Sequence, residues 1–411
     1  MTVSRKPFSM YDPNHFKHLF TLGKCFYKAY KERHPFRTVE LEAIVKFLSC
    51  KTERKFLSCK TERLGKLTYS CTNHTCTHVK FVLSTCKSKL CPSCGQKATE
   101  RWIATQSEML PDCKFRHITF TMPGQFWPIF QLNRWLLNAL FSIAANTLLT
   151  QAKTKKLIIG IFAALHTYGR KLNFNCHIHL ALAELGLDKH ENLKKFSFKF
   201  ASLMKQWRYG IIKLLRDNYD RLIYPSELSD ETKSIQSWNA FLNTQYNRHW
   251  NVNIAKKTSH KKHTAKYLGS YVKKPPIAAS RLKEYANGQV TFSYLDHNSK
   301  KHKELSLTQT EMMLRVLSHV PEKYFKMVRY FGFLSTRLRG DMLPIIYEKL
   351  EQKVGEPAIF SFAAMTKAFM KVDPFECILC GSRMMFSGFT RGVKLGQLVS
   401  SIENIILLRP I

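Results

Sequence analysis

Two apolar runs dominate the middle of the chain, LIIGIFAALHTYG at 157–169 and CHIHLALAEL at 176–185, separated by a short polar stretch holding Asn173 and Asn175. Strand-favouring runs around such a turn predict a β-hairpin. FRHITFTMP at 115–123 alternates and predicts a strand stopped by Pro123, and QVTFSYLDH at 289–297 predicts another. Helical spacing governs other stretches. Phe16, Leu19 and Phe20, then Leu41, Ile44, Val45 and Leu48, place apolar side chains near a helical period, with a break at His34-Pro35. Residues 126–153 predict a helix and 189–245 a more polar helical stretch; 263–274 predicts a short helix halted by Pro275-Pro276. Beyond residue 297 the chain reads as mainly helical. Strands and helices interleave without regular βαβ repetition, so the expected class is α+β rather than doubly wound α/β.

At 411 residues the chain exceeds one ordinary core. The expected division is 1–65, a helical N-terminal segment; 66–105, a cysteine-rich module; 106–290, a central domain with a helical insertion at about 189–250; and 291–411, a mainly helical C-terminal region. KFLSCKTER occurs at 46–54 and again, unchanged, at 55–63. In a helix nine extra residues would rotate the downstream chain by about half a turn. The duplication is therefore expected to loop out or to re-aim the cysteine-rich module, and it raises the reading of an inactive copy.

Lys and Arg number 65 against 29 Asp and Glu, a net charge of +36. An excess of this size points to a polyanion, since each cation that neutralises a phosphate releases a counterion. No apolar run is long enough for a membrane helix and no signal peptide opens the chain, so a cytoplasmic, nucleoid-associated protein with no membrane partner is expected. In that compartment thiols stay reduced. Twelve cysteines, seven of them between Cys50 and Cys94, then call for a metal.

The spacing is Cys71-x4-Cys76-x9-Cys86-x4-Cys91-x2-Cys94. Zinc takes four thiolate or imidazole ligands, and short turns deliver them in pairs. Cys71, Cys76, Cys91 and Cys94 are the expected structural Zn²⁺ ligands. Cys59, Cys86, His74 and His78 are alternatives or ligands of a second ion. Cys377-x2-Cys380 is half a site, either structural or completing one in space. Lys80, Lys87, Lys89, Lys97 and Arg101 would give this module a basic docking surface.

On a strand, His177 and His179 project to one face and could share one divalent ion. Tyr267 and Tyr271, four apart on a predicted helix, share one face among Lys262, Lys266, Lys273 and Lys274. Two imidazoles and two phenols suit one chemistry: a metal polarises a DNA phosphate and a phenolate attacks it, leaving a covalent phosphotyrosine. His166, across the hairpin, is the first candidate for a third ligand, or else a polar residue closing a strand. His260, His263 and Arg281, with Lys266, Lys273 and Lys274, are candidate phosphate contacts, and Trp102 or Trp127 could stack on bases.

KTERLGKLTYSC and STCKSKLCPSCGQKATERW resemble the zinc-binding domain of rolling-circle insertion-sequence transposases. FTMPGQFW, LHTYGRKLNFNCHIHL, KYLGSYVKKPPIAASRL and LSHVPEKYFKMVRYFGF resemble, in order, the blocks of the HUH nuclease of that family and of the region C-terminal to it. The resemblance spans roughly 35–385. It implies a ferredoxin-like HUH core with a central antiparallel sheet, single-stranded or hairpin DNA as substrate, and Mg²⁺ or Mn²⁺ as catalytic ion. It implies His177 and His179 as metal ligands and Tyr267 and Tyr271 as nucleophiles, and it leaves a homo-oligomer open. The rival readings are a plasmid replication initiator or relaxase of the same chemistry, and a zinc-dependent nucleic-acid-binding protein without catalysis.

Overall fold

The computed structural model describes residues 15–49, 51–52, 59–60, 62–255, 261–272, 275–296, 299–353, 367, 372–394 and 397. The elements run α1 (His15–Thr21), α2 (Cys25–Lys31), α3 (Thr38–Leu48), β1 (Lys51–Thr52), β2 (Cys59–Lys60), β3 (Gly65–Cys71), β4 (Val79–Leu83) and α4 (Pro92–Met109). Next come β5 (Phe115–Phe120), α5 (Trp127–Leu132), α6 (Leu137–Thr154), β6 (Ile158–Tyr168), β7 (Phe174–Leu187), β8 (Leu193–Lys195), α7 (Phe200–Arg216), α8 (Ile235–Thr244), β9 (Val252–Ile254) and α9 (Lys261–Val272). The described elements end with β10 (Leu282–Ala286), β11 (Gln289–Leu295), β12 (His302–Thr308), α10 (Gln309–Ser318), β13 (Val328–Gly332), α11 (Arg339–Lys349) and β14 (Met384–Arg391). The class is α+β, with antiparallel strand pairing in every described sheet.

Contacts divide the chain into two interleaved units: Met1–Arg101 with Lys273–Val320 and Pro357–Ile411, and Trp102–Val272 with Pro321–Glu356. They are not consecutive stretches, so they do not match the linear cuts after 65, 105 and 290. The mainly helical C-terminal region is corrected too: β12, β13 and β14 all lie in it. β12 is the mostly polar return strand of a hairpin with β11, while β13 and β14 are short strands whose partners, β6 and β3, lie far back in the chain, so a local period does not expose them.

The second unit is built on a sheet ordered β13-β6-β7-β5-β9, with β8 also on β7. Both faces of its centre are covered. Ile118, Phe120, Ile161, Ala163, Leu165, Ile178, Leu180 and Leu182 enter one core with Phe130, Phe141, Leu148, Trp207, Ile211 and Trp238 from α5 to α8. Phe115, Phe162, Ala181 and Ala183, the alternate positions, enter another with Ala265, Phe333, Leu343 and Ile346. Double burial explains why the hairpin reads as nearly continuous apolar runs. A polar side chain on the second face therefore stands out. Trp102 and Trp127, expected as stacking surfaces, instead pack against these cores.

In the first unit, Phe16 and Phe20 of α1 meet Phe47 of α3 at 5.6 and 5.9 Å between ring centroids. Gln309 at the start of α10 donates to the carbonyls of His18, Leu19 and Leu22. β10, β11 and β12 form one sheet, and β14, β3 and β4 another in that order. The duplicated nonapeptide does not extend a helix. Its first copy ends α3, and Lys51 and Thr52 of that copy pair with Lys60 and Cys59 of the second.

Candidate metal centre and cysteine clusters

The hairpin register brings the histidines together. His166 on β6 stands directly opposite His177 on β7, and Thr119 on β5 opposite His179. Odd-numbered β7 residues face away from the large core, so His177 and His179 share the second face with His166. Their ring centroids lie 5.1 Å (166–177), 4.6 Å (166–179) and 4.9 Å (177–179) apart. One ligand nitrogen from each falls within 4.8 Å of the others.

Sequence reasoning missed a fourth imidazole. His117, two residues before Thr119 on β5, stacks on His179 at 5.2 Å with its ring 9° from parallel. Its signal was a histidine at the position of FRHITF that breaks the alternation, lying between Phe115 and Thr119 on one face of the strand. His117 also meets the Tyr267 ring edge-to-face at 4.6 Å, and Tyr267 lies 6.4 Å from His179. Tyr267 is carried by α9, which is anchored by the fully buried Ala265 and by Gly269, where an added Cβ would stand 2.6 Å from Ile103 Cγ1 on α4. Tyr271 lies one turn further along α9, its side chain outside the described residues.

Hydrogen bonds settle how the rings are presented. Nδ1 of His177 is 2.8 Å from the Asn175 carbonyl, which only accepts, so Nδ1 donates and Nε2 keeps its lone pair. Nδ1 of His179 lies 3.3 Å from Thr119 Oγ1 and 3.2 Å from His117 Nε2, which leaves its Nε2 to the cluster. Such outer partners fix tautomer and orientation in metal sites. Burial pushes His117 down to about 4. It does the same for His177, partly offset by the Asn175 bond, and holds His179 well below the ordinary imidazole value, with the neighbouring imidazoles adding to the effect. Neutral imidazole is the form that binds metal. The cluster contains no carboxylate among the described residues.

The cysteines divide differently from the expectation. Cys71, Cys76, Cys377 and Cys380 converge at one place, and Cys86, Cys91 and Cys94 at another. Cys71, Cys76, Cys91 and Cys94 thus do not meet around one ion. Cys71 ends β3 and Cys76 lies in the β3–β4 turn, whereas Cys86 to Cys94 come after the far end of β4. A five-residue strand at about 3.4 Å per residue spans roughly 17 Å, too far for a shared metal. The side chain of Cys59 lies outside the described residues. In the first group Cys71 Sγ is 3.4 Å from Cys380 Sγ, and Cys76 Sγ is 3.7 Å from Cys377 Sγ. The Ser382 hydroxyl and amide draw the Cys380 thiol down to about 6. In the second group Cys86 Sγ is 3.7 Å from Cys94 Sγ.

Of the expected phosphate contacts, Lys266 and His263 are exposed, while His260, Lys273 and Lys274 lie outside the described residues. Arg281 is committed elsewhere: Nε donates to the Ser293 carbonyl at 2.8 Å and the guanidinium sits 5.6 Å from the Phe292 ring centroid. Among the described residues no helix is long and apolar enough to cross a membrane.

The family profile described as "Putative transposase" matches residues 160–341, and that described as "Transposase zinc-binding domain" matches 54–122. The transposase for insertion sequence element IS801 of Pseudomonas savastanoi pv. phaseolicola is 40% identical over 402 residues, 97% of this chain and 95% of its own. A protein of Sinorhizobium fredii titled "Putative transposase y4qJ" is 26% identical over 298 residues, 69% of this chain and 74% of its own. No solved structure matches. The chain belongs to the family of insertion-sequence transposases that carry a zinc-binding domain.

Proposed function

We propose that this transposase is a metal-dependent HUH endonuclease. It would cut and rejoin single-stranded DNA through a 5′-phosphotyrosine intermediate, with Tyr267 and Tyr271 as nucleophiles, in rolling-circle transposition of its insertion sequence. The observation that carries the reading is the Tyr267 ring 4.6 Å from His117, beside the cluster of His166, His177 and His179. Near-full-length similarity to an insertion-sequence transposase favours transposition over plasmid replication.

His166, His177 and His179 would hold the divalent ion, each as a neutral imidazole. Of the two ions expected, Mn²⁺ suits three nitrogen donors better than Mg²⁺, which takes oxygen ligands. An ion held there would supply Lewis-acid chemistry, polarising a non-bridging phosphate oxygen and offsetting transition-state charge. The chain supplies the rest. The Asn175 carbonyl fixes the tautomer of His177, Thr119 and His117 hold the His179 ring by its Nδ1, and His117 meets the Tyr267 ring edge-to-face. Tyr267 Oη attacks phosphorus in line. The bond to the 3′-oxygen breaks, the 5′-phosphate passes to tyrosine, and the phenol proton ends, through solvent, on the freed 3′-hydroxyl. Attack by another 3′-hydroxyl reverses the step without ATP. A second nucleophile on the same helix keeps two cleavages open at once, as exchange between donor and target requires. Lys266 would contact the DNA backbone.

The test uses labelled single-stranded oligonucleotides spanning the element ends, with Mn²⁺ or EDTA, read as a covalent adduct on a denaturing gel. A Mn²⁺-dependent adduct that disappears in Tyr267→Phe with Tyr271→Phe is expected. Tight binding of the same DNA without any adduct would transfer support to the non-catalytic reading.

A further inference from the structure

We infer that Cys71, Cys76, Cys377 and Cys380 form a second structural zinc site. It lies apart from the cysteines at 86–94 and closes the zinc-binding domain with residues far outside the matched 54–122 segment. Zinc–sulfur bonds of about 2.3 Å in a tetrahedron place sulfur atoms about 3.8 Å apart. The separations here are 3.4 and 3.7 Å across the two pairs, with all four sulfurs within 4.8 Å of one another. A disulfide would need about 2.05 Å, and unrelated thiols have no reason to converge four at a time.

Each pair comes from a tight turn. Cys71 and Cys76 flank the Asn73 turn, where the Cys76 amide donates to the Asn73 carbonyl at 3.0 Å. Cys377 and Cys380 sit in a turn in which the Gly381 amide donates to the Cys377 carbonyl at 2.8 Å and the Cys377 amide to Ser382 at 2.8 Å. Gly381 takes φ +73°, a left-handed conformation that glycine adopts without strain. The strands hold the turns face to face. β14 runs antiparallel to β3 with Met384 opposite Cys71, and the Thr72 amide and hydroxyl both donate to the Arg383 carbonyl at 2.9 Å. His78 Nδ1 lies 3.1 Å from Cys377 Sγ, where an N–H would draw charge from a thiolate.

This clasp joins residues 309 positions apart. A metal that closes so long a loop makes retention of β14 on β3 depend on zinc. The inference does not rest on the nuclease reading, since neither tyrosines nor histidines of the metal centre enter it.

The experiment is elemental analysis of the purified full-length protein. Cys377→Ser with Cys380→Ser should lose one zinc per chain relative to wild type and leave any zinc held by Cys86, Cys91 and Cys94 in place. Cys380→His, which restores a ligand, should keep the wild-type zinc content. Full wild-type zinc in the folded double serine variant, judged by far-ultraviolet circular dichroism, would overturn the assignment. Where that variant does not fold, alkylation of the wild-type protein decides. Zinc should protect Cys71, Cys76, Cys377 and Cys380 together, and a chelator should release them together. Free alkylation of Cys377 and Cys380 in the zinc-loaded protein would overturn the assignment.

Discussion

Gly269 controls how closely the tyrosine helix approaches its neighbour, and adding one methyl there tests whether that approach positions the nucleophile. In Gly269→Ala the new Cβ would stand 2.6 Å from Ile103 Cγ1, 3.1 Å from its Cδ1 and 3.1 Å from Trp102 Cε3. Carbons rest at about 3.5–4.0 Å, so something must yield by about 1 Å. Ile103 and Trp102 already pack against the core beneath, so α9 takes part of the shift. Overpacking costs about 1–3 kcal/mol, and alanine's higher helix propensity returns about 1 kcal/mol, leaving a net loss of about 0–2 kcal/mol. The protein should therefore fold. The rate is more sensitive, because a misplacement of about 1 Å costs on the order of 10²-fold. Since α9 takes only part of that 1 Å, single-turnover adduct formation on end oligonucleotides with Mn²⁺ should fall by roughly 10-fold to at most about 10²-fold, with only a small drop in melting temperature. Ile103→Ala, which vacates the contested volume, should restore most of the rate in the double variant. Wild-type adduct formation by Gly269→Ala, or a loss that Ile103→Ala does not relieve, would refute the reasoning.

The remaining predictions concern the same unit and the duplication. Burial holds His117 and His177 down to about 4 and His179 well below the ordinary imidazole value, so the folded state keeps them neutral while the unfolded chain protonates near 6.5. Their stabilisation is intact above pH 6.5 and fades as pH falls toward 4; His117, 7% exposed, accounts for about 3 kcal/mol of it. Urea midpoints without added divalent ion should drop over that window, and less steeply in His117→Gln; identical slopes would contradict the assignment. Thr119→Val should weaken Mn²⁺ binding, measured by calorimetry, by about 10- to 100-fold while leaving zinc content unchanged. Gly332→Ala should destabilise by about 3–5 kcal/mol in urea titrations, because φ is +62° and a Cβ would lie 1.6 Å from the Ile159 carbonyl oxygen. Deleting 55–63 should leave adduct yield within about twofold, since the two copies pair with each other; a large gain would instead identify the duplication as an inactivating lesion.

Much of the histidine cluster was legible because strand geometry is local. A two-residue alternation places His177 beside His179, and a hairpin turn of known length brings His166 opposite. His117 escaped notice because its strand joins β7 only through tertiary pairing, across more than fifty intervening residues. The cysteines misled for the complementary reason. Nearness in sequence suggested that Cys71 and Cys76 share an ion with Cys91 and Cys94, yet β4 carries the two groups apart. Cys377 and Cys380 approach only because β14 returns to β3, and its exposed Met385, Phe386 and Phe389 give no clear inside-outside alternation. The helix bearing the tyrosines, by contrast, was marked at its end by two prolines.

The order of synthesis on the ribosome gives these long-range closures a further consequence. The hairpin with its three histidines and the tyrosine helix emerge first, but β13, which edges the sheet beside β6, is made some sixty residues after Tyr267. The cysteine tetrad waits longer, until Cys380 has left the exit tunnel. A chain halted between these points would hold the histidine cluster and Tyr267 on an unfinished sheet and could not bring Cys377 and Cys380 to Cys71 and Cys76. Chains released early would therefore be the ones most exposed to cellular proteases.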